Sequence, residues 1–249
     1  GNLAAAKEMA RLAKLAGCDC IKFQHHLPDE EMLKDVPMSS NFDMPLYEFL
    51  KLHALTLDQH IELKAYCEEI GIEYLCTPFS YKAACELAEI GVSAFKIGSG
   101  EMTDIPSLLK IAEFGKPMIV STGMATMDEI QRTYDALTSV GVPLALIGHS
   151  DHTPDLYTCF GAVALGAAII EKHVILNKLT PGPDQSVSID FRDLYELVDG
   201  VHKVERALGA EKVVHESERP IREWAFRSVV STRAIQAGEI LTSDMLWKQ

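Results

Sequence analysis

The 249-residue chain carries 23 basic and 36 acidic side chains, a formal charge of −13, and 47% of its residues are hydrophobic. This hydrophobic share can build a large core, so we expect one large α/β domain or two small ones. The negative charge repels nucleic-acid phosphates and anionic lipids, and no apolar run approaches the roughly 20 residues of a membrane span. We therefore predict a soluble cytoplasmic protein without nucleic-acid or membrane partners, whose six cysteines, lacking a CxxC pair, stay reduced.

An order of amphipathic helix, glycine and short apolar run repeats along most of the chain. A glycine after a helix supplies the left-handed cap that ends it. The predicted helices are 3–16, 57–70, 81–90, 105–114, 127–140 and 156–165. The predicted strands lie in CDCIKFQ (18–24), IEYLCTPF (72–79), SAFKIGSGE (93–101), PMIVSTGM (117–124), PLALI (143–147) and AAIIEKHV (167–174). Continuous apolar strands alternating with helices indicate βαβ units in a parallel sheet.

Polar clusters follow nearly every predicted strand, and they decide between two parallel architectures. An open doubly wound sheet gathers its ligand groups at one switch point, whereas a barrel collects them from many strand ends around one mouth. No GxGxxG phosphate loop opens any helix, which weakens a dinucleotide-binding fold further. The sequence therefore favours a (β/α)₈ TIM barrel.

The strand count leaves two places where this barrel lacks a piece. The first predicted helix has no strand before it, and PLALI (143–147) runs directly into GHSDHT (148–153). Parallel neighbours need a crossover of a dozen or more residues. We therefore expect that a first strand is missing before Gly1 and a loop and helix near 147–148. A naturally shortened barrel of six or seven strands is the alternative.

Two histidines and one lysine are the first candidates for chemistry. His152 and His173 end adjacent predicted strands, where two neutral imidazoles could bind one divalent metal. Lys96 lies inside an apolar strand, and a buried cation requires an anionic partner. That partner is either an anionic ligand or a structural carboxylate, for which Glu101 is the candidate.

Seven motifs, taken in order, resemble the sialic acid synthase family along essentially the whole chain. They are KFQ (22–24), TPF (77–79), FKIGSGE (95–101), STGM (121–124), SDHT (150–153), EKH (171–173) and GPD (182–184). This family uses phosphoenolpyruvate to make N-acetylneuraminate and related nonulosonic acids, and it includes spore-coat polysaccharide relatives. The resemblance implies a TIM-barrel domain in 1–220, then a linker and the beginning of an antifreeze-like (SAF) domain in 221–249. It also implies a homodimer.

The resemblance assigns a role to each matching residue. The expected phosphoenolpyruvate contacts are Lys22, Thr77, Lys96, Ser99 and Ser150. The expected metal ligands are His152 and His173. Glu101 matches the acid that handles a water or hydroxyl proton, and Lys96 is the natural partner of the phosphate.

The sugar side of the implied site is less fixed. Gln24 and Asp184 match groups that face an N-acyl hexosamine such as N-acetylmannosamine. His149 and Asn177 depart from the usual family pattern, which leaves the sugar preference open. The implied metal is Mn²⁺, with Mg²⁺ or Co²⁺ as alternatives.

Two other functions remain open. One is a phosphoenolpyruvate-dependent synthase of 3-deoxy sugar acids that acts on a phosphorylated pentose or tetrose. Such an acceptor needs more basic residues at the mouth. The other is a non-catalytic sugar-phosphate-binding relative, which would have lost a metal ligand or Glu101.

Overall fold

The protein is represented by a computed structural model that describes residues 1–36, 42–143, 145–209 and 211–248. The chain divides into two compact units, Gly1–Ala207 and Leu208–Gln249. None of the helices within the described ranges has the length and apolar character needed to cross a membrane.

The first unit alternates helices with parallel strands, as predicted. Its helices are α1 (Leu3–Ala16), α2 (Pro28–Glu31), α3 (Leu46–His53), α4 (Leu57–Ile70), α5 (Tyr81–Glu89), α6 (Ile105–Ala112), α7 (Met127–Ser139), α8 (Tyr157–Ala164) and α9 (Phe191–Ala207). Its strands are β1 (Cys20–His25), β2 (Glu73–Pro78), β3 (Phe95–Ile97), β4 (Met118–Val120), β5 (Gly148–Asp151) and β6 (Ile169–Lys172). The second unit holds α10 (Arg219–Ala225) and an antiparallel pair, β7 (Val229–Ser231) and β8 (Leu246–Lys248).

Local sequence fixes the ends of the best-predicted helices. The Thr56 side chain accepts a hydrogen bond from the backbone N–H of Gln59, whose own side chain accepts from the Thr56 N–H. This capping box begins α4. The helix ends where Gly71 adopts φ 74°, a left-handed conformation that glycine reaches without steric cost.

The parallel strands belong to two sheets. One has the order β1-β2-β3-β4, and the other pairs β5 with β6. Register places Gln24 opposite Thr77 and Ser150 opposite Glu171. A parallel bridge between Val174 and Ile189 follows β6. Parallel strands share one carboxyl edge, so the polar residues of these motifs lie at the same side of the unit.

One predicted strand is wrong. Pro143 and 145–147 have no strand structure, Leu144 lies outside the described residues, and the strand begins instead at Gly148. Leu146 and Ile147 are 62% and 70% exposed. Apolar residues form a buried parallel strand only where neighbouring strands and helices cover them, and here β4 and β5 lie in separate sheets. The described parallel strands thus form sheets of four and two, not a closed barrel of eight.

A cluster of buried polar side chains lies between β1, β2 and the helices that cover them. His25 Nε2 lies 2.7 Å from Glu86 Oε2, and His60 Nδ1 lies 2.7 Å from the Tyr74 hydroxyl. The two imidazole rings meet edge to face with centroids 4.7 Å apart. Within the described residues, His25 Nδ1 and His60 Nε2 have no hydrogen-bond partner. His60 is thus a fully buried core histidine.

Acidification is expected to destabilise the fold through His60. Burial lowers the pKa of His60 from 6.5 to about 4, with nearby His25 and His26 adding to the shift. Below pH 6.5 His60 becomes protonated in the unfolded chain but stays neutral in the folded chain. The free energy of unfolding therefore falls as the pH decreases towards 4. Urea unfolding should show that the free energy of unfolding is lower at pH 4.5 than at pH 7 by on the order of 2 kcal/mol. His60→Asn should remove this difference. His202→Asn, a change at an exposed histidine, should keep the wild-type loss; an equal loss in both variants would contradict this assignment.

Candidate active site

Side chains from β1, β3, β5 and β6 meet around one carboxylate. Glu171 Oε1 lies 3.4 Å from Lys96 Nζ and 3.8 Å from Lys22 Nζ, and it accepts a 2.8 Å hydrogen bond from the Ser150 hydroxyl. Three of the expected phosphoenolpyruvate contacts are therefore neighbours. The structural partner of Lys96 is Glu171, whereas the sequence had suggested Glu101.

The charges of this cluster are strongly influenced by burial. Burial lowers the pKa of Lys96, whose side chain is 6% exposed, and the Glu171 carboxylate opposes that shift. Burial raises the pKa of Glu171, but Lys22 and Lys96 outweigh it, so the pKa lies below its ordinary value. Two cations facing one carboxylate leave positive charge at this point, which suits an anionic ligand.

Two buried polar atoms next to this cluster lack partners. Within the described residues, Thr77 Oγ1 and Glu101 Oε2 make no hydrogen bond, although both atoms are inaccessible to solvent. Burial raises the pKa of Glu101 above its ordinary value. Buried polar groups are normally hydrogen-bonded, and those that are not commonly serve a ligand or a reaction. Both residues are among those the family resemblance selected.

The absence of a side chain at Gly98 gives the Glu101 carboxyl group its place in the loop after β3. A side chain at Gly98 would clash with Glu101 Oε2, so the carboxyl group lies directly on the glycine backbone. A Cβ atom added at Gly123 would lie 3.5 Å from Ser99 Cβ. This is an ordinary van der Waals distance, so Ser99, in the loop after β3, faces the loop after β4 without requiring a glycine there.

The two histidines predicted to bind a metal lie side by side. His152 Nε2 and His173 Nε2 are 3.2 Å apart, and His173 Nδ1 is 3.7 Å from Asp184 Oδ2. Burial lowers the pKa of His173, although Asp184 opposes the shift. The lowered pKa favours the neutral ring that a metal requires. Two imidazole nitrogens bound to one ion at about 2.1 Å and near a right angle lie about 3 Å apart. The pair therefore fits a divalent cation.

A second group has metal-ligand spacing but less suitable chemistry. Ligand atoms of His149, Asp151 and Cys159 lie within 4.8 Å of one another. Burial raises the pKa of the Cys159 thiol to about 11, whereas metals bind the thiolate. The Lys172 ammonium already binds Asp151. Burial alone would raise the pKa of the Asp151 carboxyl, but the hydrogen bonds that it accepts, including the one from Lys172, hold this pKa well below its ordinary value. Asp151 is therefore already engaged by Lys172 of β6, which makes it less suited to a metal than the two neutral imidazoles.

Four residues that contribute to the site were not among the predicted site residues. Glu171 and Lys172 precede His173 directly, so their place in a strand-end motif was the available signal. His26 and Glu31 follow KFQ (22–24) closely, but nothing in their spacing shows that they contact each other. His26 Nδ1 lies 3.0 Å from Glu31 Oε2 and its Nε2 lies 3.3 Å from Gln24 Oε1.

Comparison with known proteins gives a consistent result. The model of the NeuB family matches residues 9–147 and 141–213. N-acetylneuraminate-9-phosphate synthase from Homo sapiens is 33% identical over 282 residues, covering 99% of this chain and 79% of the relative. N,N'-diacetyllegionaminic acid synthase from Campylobacter jejuni is 31% identical over 286 residues, covering 99% of this chain and 85% of the relative.

Solved structures match as well. The N-acetylneuraminic acid synthetase of Leptospira borgpetersenii, crystallised with citrate, has a TM-score of 0.78 and 25% identity, covering 90% of this chain and 86% of that one. A truncated 3-deoxy-D-arabino-heptulosonate 7-phosphate synthase from Thermotoga maritima has a TM-score of 0.64 at 15% identity, covering 83% of each chain. The second likeness concerns the fold alone.

Proposed function

The chain belongs to the NeuB family, and we propose that it condenses phosphoenolpyruvate with an N-acyl hexosamine, giving a nonulosonic acid and inorganic phosphate. The observation that carries this proposal is the convergence of Lys22 and Lys96 beside Glu101 and the His152–His173 pair. The Oε2 atom of Glu101 has no hydrogen-bond partner in the described part of the chain. Relatives whose names specify sialic, legionaminic and pseudaminic acid synthases support the product class.

The lysines suit the phosphate and carboxylate of phosphoenolpyruvate. The protein carries a net charge of −13, so a highly anionic substrate needs local positive charge. Lys96 is positioned to bind the phosphate, with Lys22, Thr77, Ser99 and Ser150 as further contacts. Glu171 is their counter-ion in the structure, and a bound phosphate would compete with it for both ammonium groups.

The reaction joins two carbons and breaks one C–O bond. C3 of phosphoenolpyruvate attacks the aldehyde carbon of the open-chain sugar, and the aldehyde oxygen takes a proton to become a hydroxyl. Water adds to C2, and the C2–O bond breaks so that phosphate leaves with the bridging oxygen. A divalent metal held by His152 and His173 would polarise the aldehyde as a Lewis acid. Gln24 and Asp184 would bind the sugar, and holding both substrates together supplies the proximity effect.

Glu101 is the candidate for the proton steps. A carboxyl whose pKa is raised by burial exchanges protons nearer to neutral pH than an exposed one. Glu101 would accept a proton from the water that attacks C2. Its Oε2 atom, which has no partner among the described residues, is the atom available for that transfer.

Metal binding offers a prediction that is independent of turnover. His173→Ala and His152→Ala should each weaken Mn²⁺ binding at least about tenfold, because one of two neutral nitrogen ligands is lost. Electron paramagnetic resonance titration of free Mn²⁺ measures this directly. His149→Ala is the matched control and should bind Mn²⁺ as the wild type does. Lost binding in the control with intact binding in the other two would place the metal at the His149, Asp151 and Cys159 group.

Phosphate release from phosphoenolpyruvate tests the proposed function. The panel of acceptors contains N-acetylmannosamine, its 6-phosphate, diacetylated dideoxyhexoses and arabinose 5-phosphate, each with Mn²⁺ or with EDTA. We expect EDTA-sensitive release with one N-acyl hexosamine. Release with the pentose phosphate alone would favour a 3-deoxy sugar acid synthase, and release with none would contradict a catalytic role.

We also propose that the barrel is completed by residues absent from this sequence near 147–148. The two segments of the family match overlap at 141–147, and the human relative aligns over 282 positions against 249 residues here. The exposed Leu146 and Ile147 support the same reading. An SAF-like domain from 221 and a homodimer remain predictions of the family resemblance.

A further inference from the structure

His26 is enclosed at the carboxyl end of β1 by three different contacts. Its ring stacks on Phe79 with centroids 4.1 Å apart and an angle of 19° between the planes. Its Nδ1 atom lies 3.0 and 3.3 Å from the two oxygens of Glu31, and its Nε2 atom lies 3.3 Å from Gln24 Oε1. The ring therefore has little freedom to rotate or to exchange partners.

The Glu31 carboxylate faces His26 from a buried position. Only 4% of the Glu31 side chain and 11% of the His26 side chain are exposed. The short helix α2, with Pro28 in its first turn, follows β1 and carries Glu31 back to the strand end. Burying a carboxylate is costly unless a cation or donor compensates it, and His26 is the donor it contacts.

Hydrogen-bond chemistry then fixes the orientation of the Gln24 amide. The Glu31 carboxylate lies against Nδ1 of His26 and the Gln24 amide oxygen lies against Nε2, and both of these oxygens are hydrogen-bond acceptors. Because the Gln24 oxygen is held by His26, its NH₂ group is the end left to donate to a ligand.

The same group borders the candidate proton-transfer residue. Phe79 and the Glu101 carboxyl both lie against Gly98. Burial raises the pKa of Glu101, the negative Glu31 raises it further, and the positive His26 lowers it. Glu31 and His26 thus shift the pKa of Glu101 in opposite directions, while His26 holds Gln24 in place.

We propose that His26 is a positioning residue: held by Glu31 and Phe79, it fixes the Gln24 side chain so that its NH₂ group donates to a carbonyl or hydroxyl oxygen of the acceptor sugar. This inference rests on the proposed function for the identity of the sugar. The contact between His26 and Gln24 does not rest on the proposed function, and it can be tested separately.

Nuclear magnetic resonance tests the contact without any substrate. The Gln24 side-chain amide signals, assigned by their absence in Gln24→Ala, should shift in His26→Phe, which keeps a ring stacked on Phe79 but loses both donors. They should also shift in Glu31→Gln. The matched control is Glu30→Gln on the same helix, at an exposed carboxyl that pairs with Lys82, and it should leave them unchanged. Unmoved signals in both His26→Phe and Glu31→Gln would overturn the inference.

Kinetics test the consequence for the sugar. His26→Phe should raise the KM for the acceptor about tenfold, with kcat and the KM for phosphoenolpyruvate within about twofold, as expected for loss of one ligand hydrogen bond. Gln24→Ala should raise the KM for the acceptor by a similar factor. The double variant should have a KM for the acceptor no higher than that of Gln24→Ala alone. Effects that multiply would overturn a role through Gln24. A wild type inactive with every acceptor would instead refute the proposed function, while the resonance experiment still decides the contact.

Discussion

Lys96→Met is expected to raise the KM for phosphoenolpyruvate about 100-fold. Lys96 is the most buried cation facing the candidate anion site, and hydrogen bonds to charged groups contribute about 1.5–3 kcal/mol. Methionine keeps the length of the side chain without its charge, so the loss reports the ammonium group. Steady-state phosphate release at varied phosphoenolpyruvate measures the effect, with Lys82→Met at an exposed ion pair as control.

The same substitution should not weaken the fold. Burial lowers the pKa of Lys96, so the folded protein binds its proton less tightly than the unfolded chain and loses stability at neutral pH. Glu171 retains Lys22 and Ser150 as partners. Lys96→Met should therefore unfold at the wild-type temperature or above it. A KM within threefold of the wild type would remove Lys96 from the anion site, and a lower unfolding temperature would show a structural role.

Glu101→Gln is expected to lower kcat by about 10²–10⁴, the usual range for loss of a general acid or base. The amide has nearly the size of the carboxyl group, so both KM values should change little. Glu89→Gln, at an exposed carboxyl on α5, is the control and should keep the wild-type kcat. A kcat for Glu101→Gln within threefold of the wild type would exclude Glu101 from proton transfer.

Stability gives a second readout for Glu101. Burial raises the pKa of Glu101 above 4.5, so the folded chain holds this proton more tightly than the unfolded chain. The buried Glu101 carboxylate therefore lowers the free energy of unfolding at neutral pH. This loss shrinks as the pH falls through the folded pKa, and it is gone below the unfolded pKa. Glu101→Gln should therefore raise the unfolding temperature at pH 7, and the gain should become smaller at pH 4. An equal gain at both pH values would contradict the assignment of this carboxyl as a buried anion.

Patterns local in the sequence predicted the fold well. Helices α1 and α4 have the predicted bounds because an amphipathic run lies between an N-cap residue and a glycine, Gly17 or Gly71. The alternation of helix and apolar strand is also local. The common carboxyl edge of parallel strands is enough to predict that Lys96 and His173 lie in one region.

Features that depend on residues distant in the chain could not be predicted. The apolar character of 143–147 predicted a strand, yet strand formation requires neighbours, and Ile147 uses its carbonyl to accept from Ala168 at 2.9 Å without forming one. The Lys96 partner is Glu171, 75 residues further along, because β6 brings that carboxylate close. The His26 contact with Glu31 depends on how α2 turns back, which no periodicity encodes.

Isotope labelling of phosphoenolpyruvate tests the proposed condensation by following its atoms. The substrate is labelled with ¹³C at its three carbons and with ¹⁸O at the bridging oxygen between C2 and phosphorus. It is incubated with the protein, Mn²⁺ and the active N-acyl hexosamine, and the products are measured by mass spectrometry. We predict a sugar acid that carries all three ¹³C atoms and phosphate that carries the ¹⁸O. Labelled pyruvate that retains the ¹⁸O, with unlabelled phosphate and no new sugar acid, would contradict the proposed condensation.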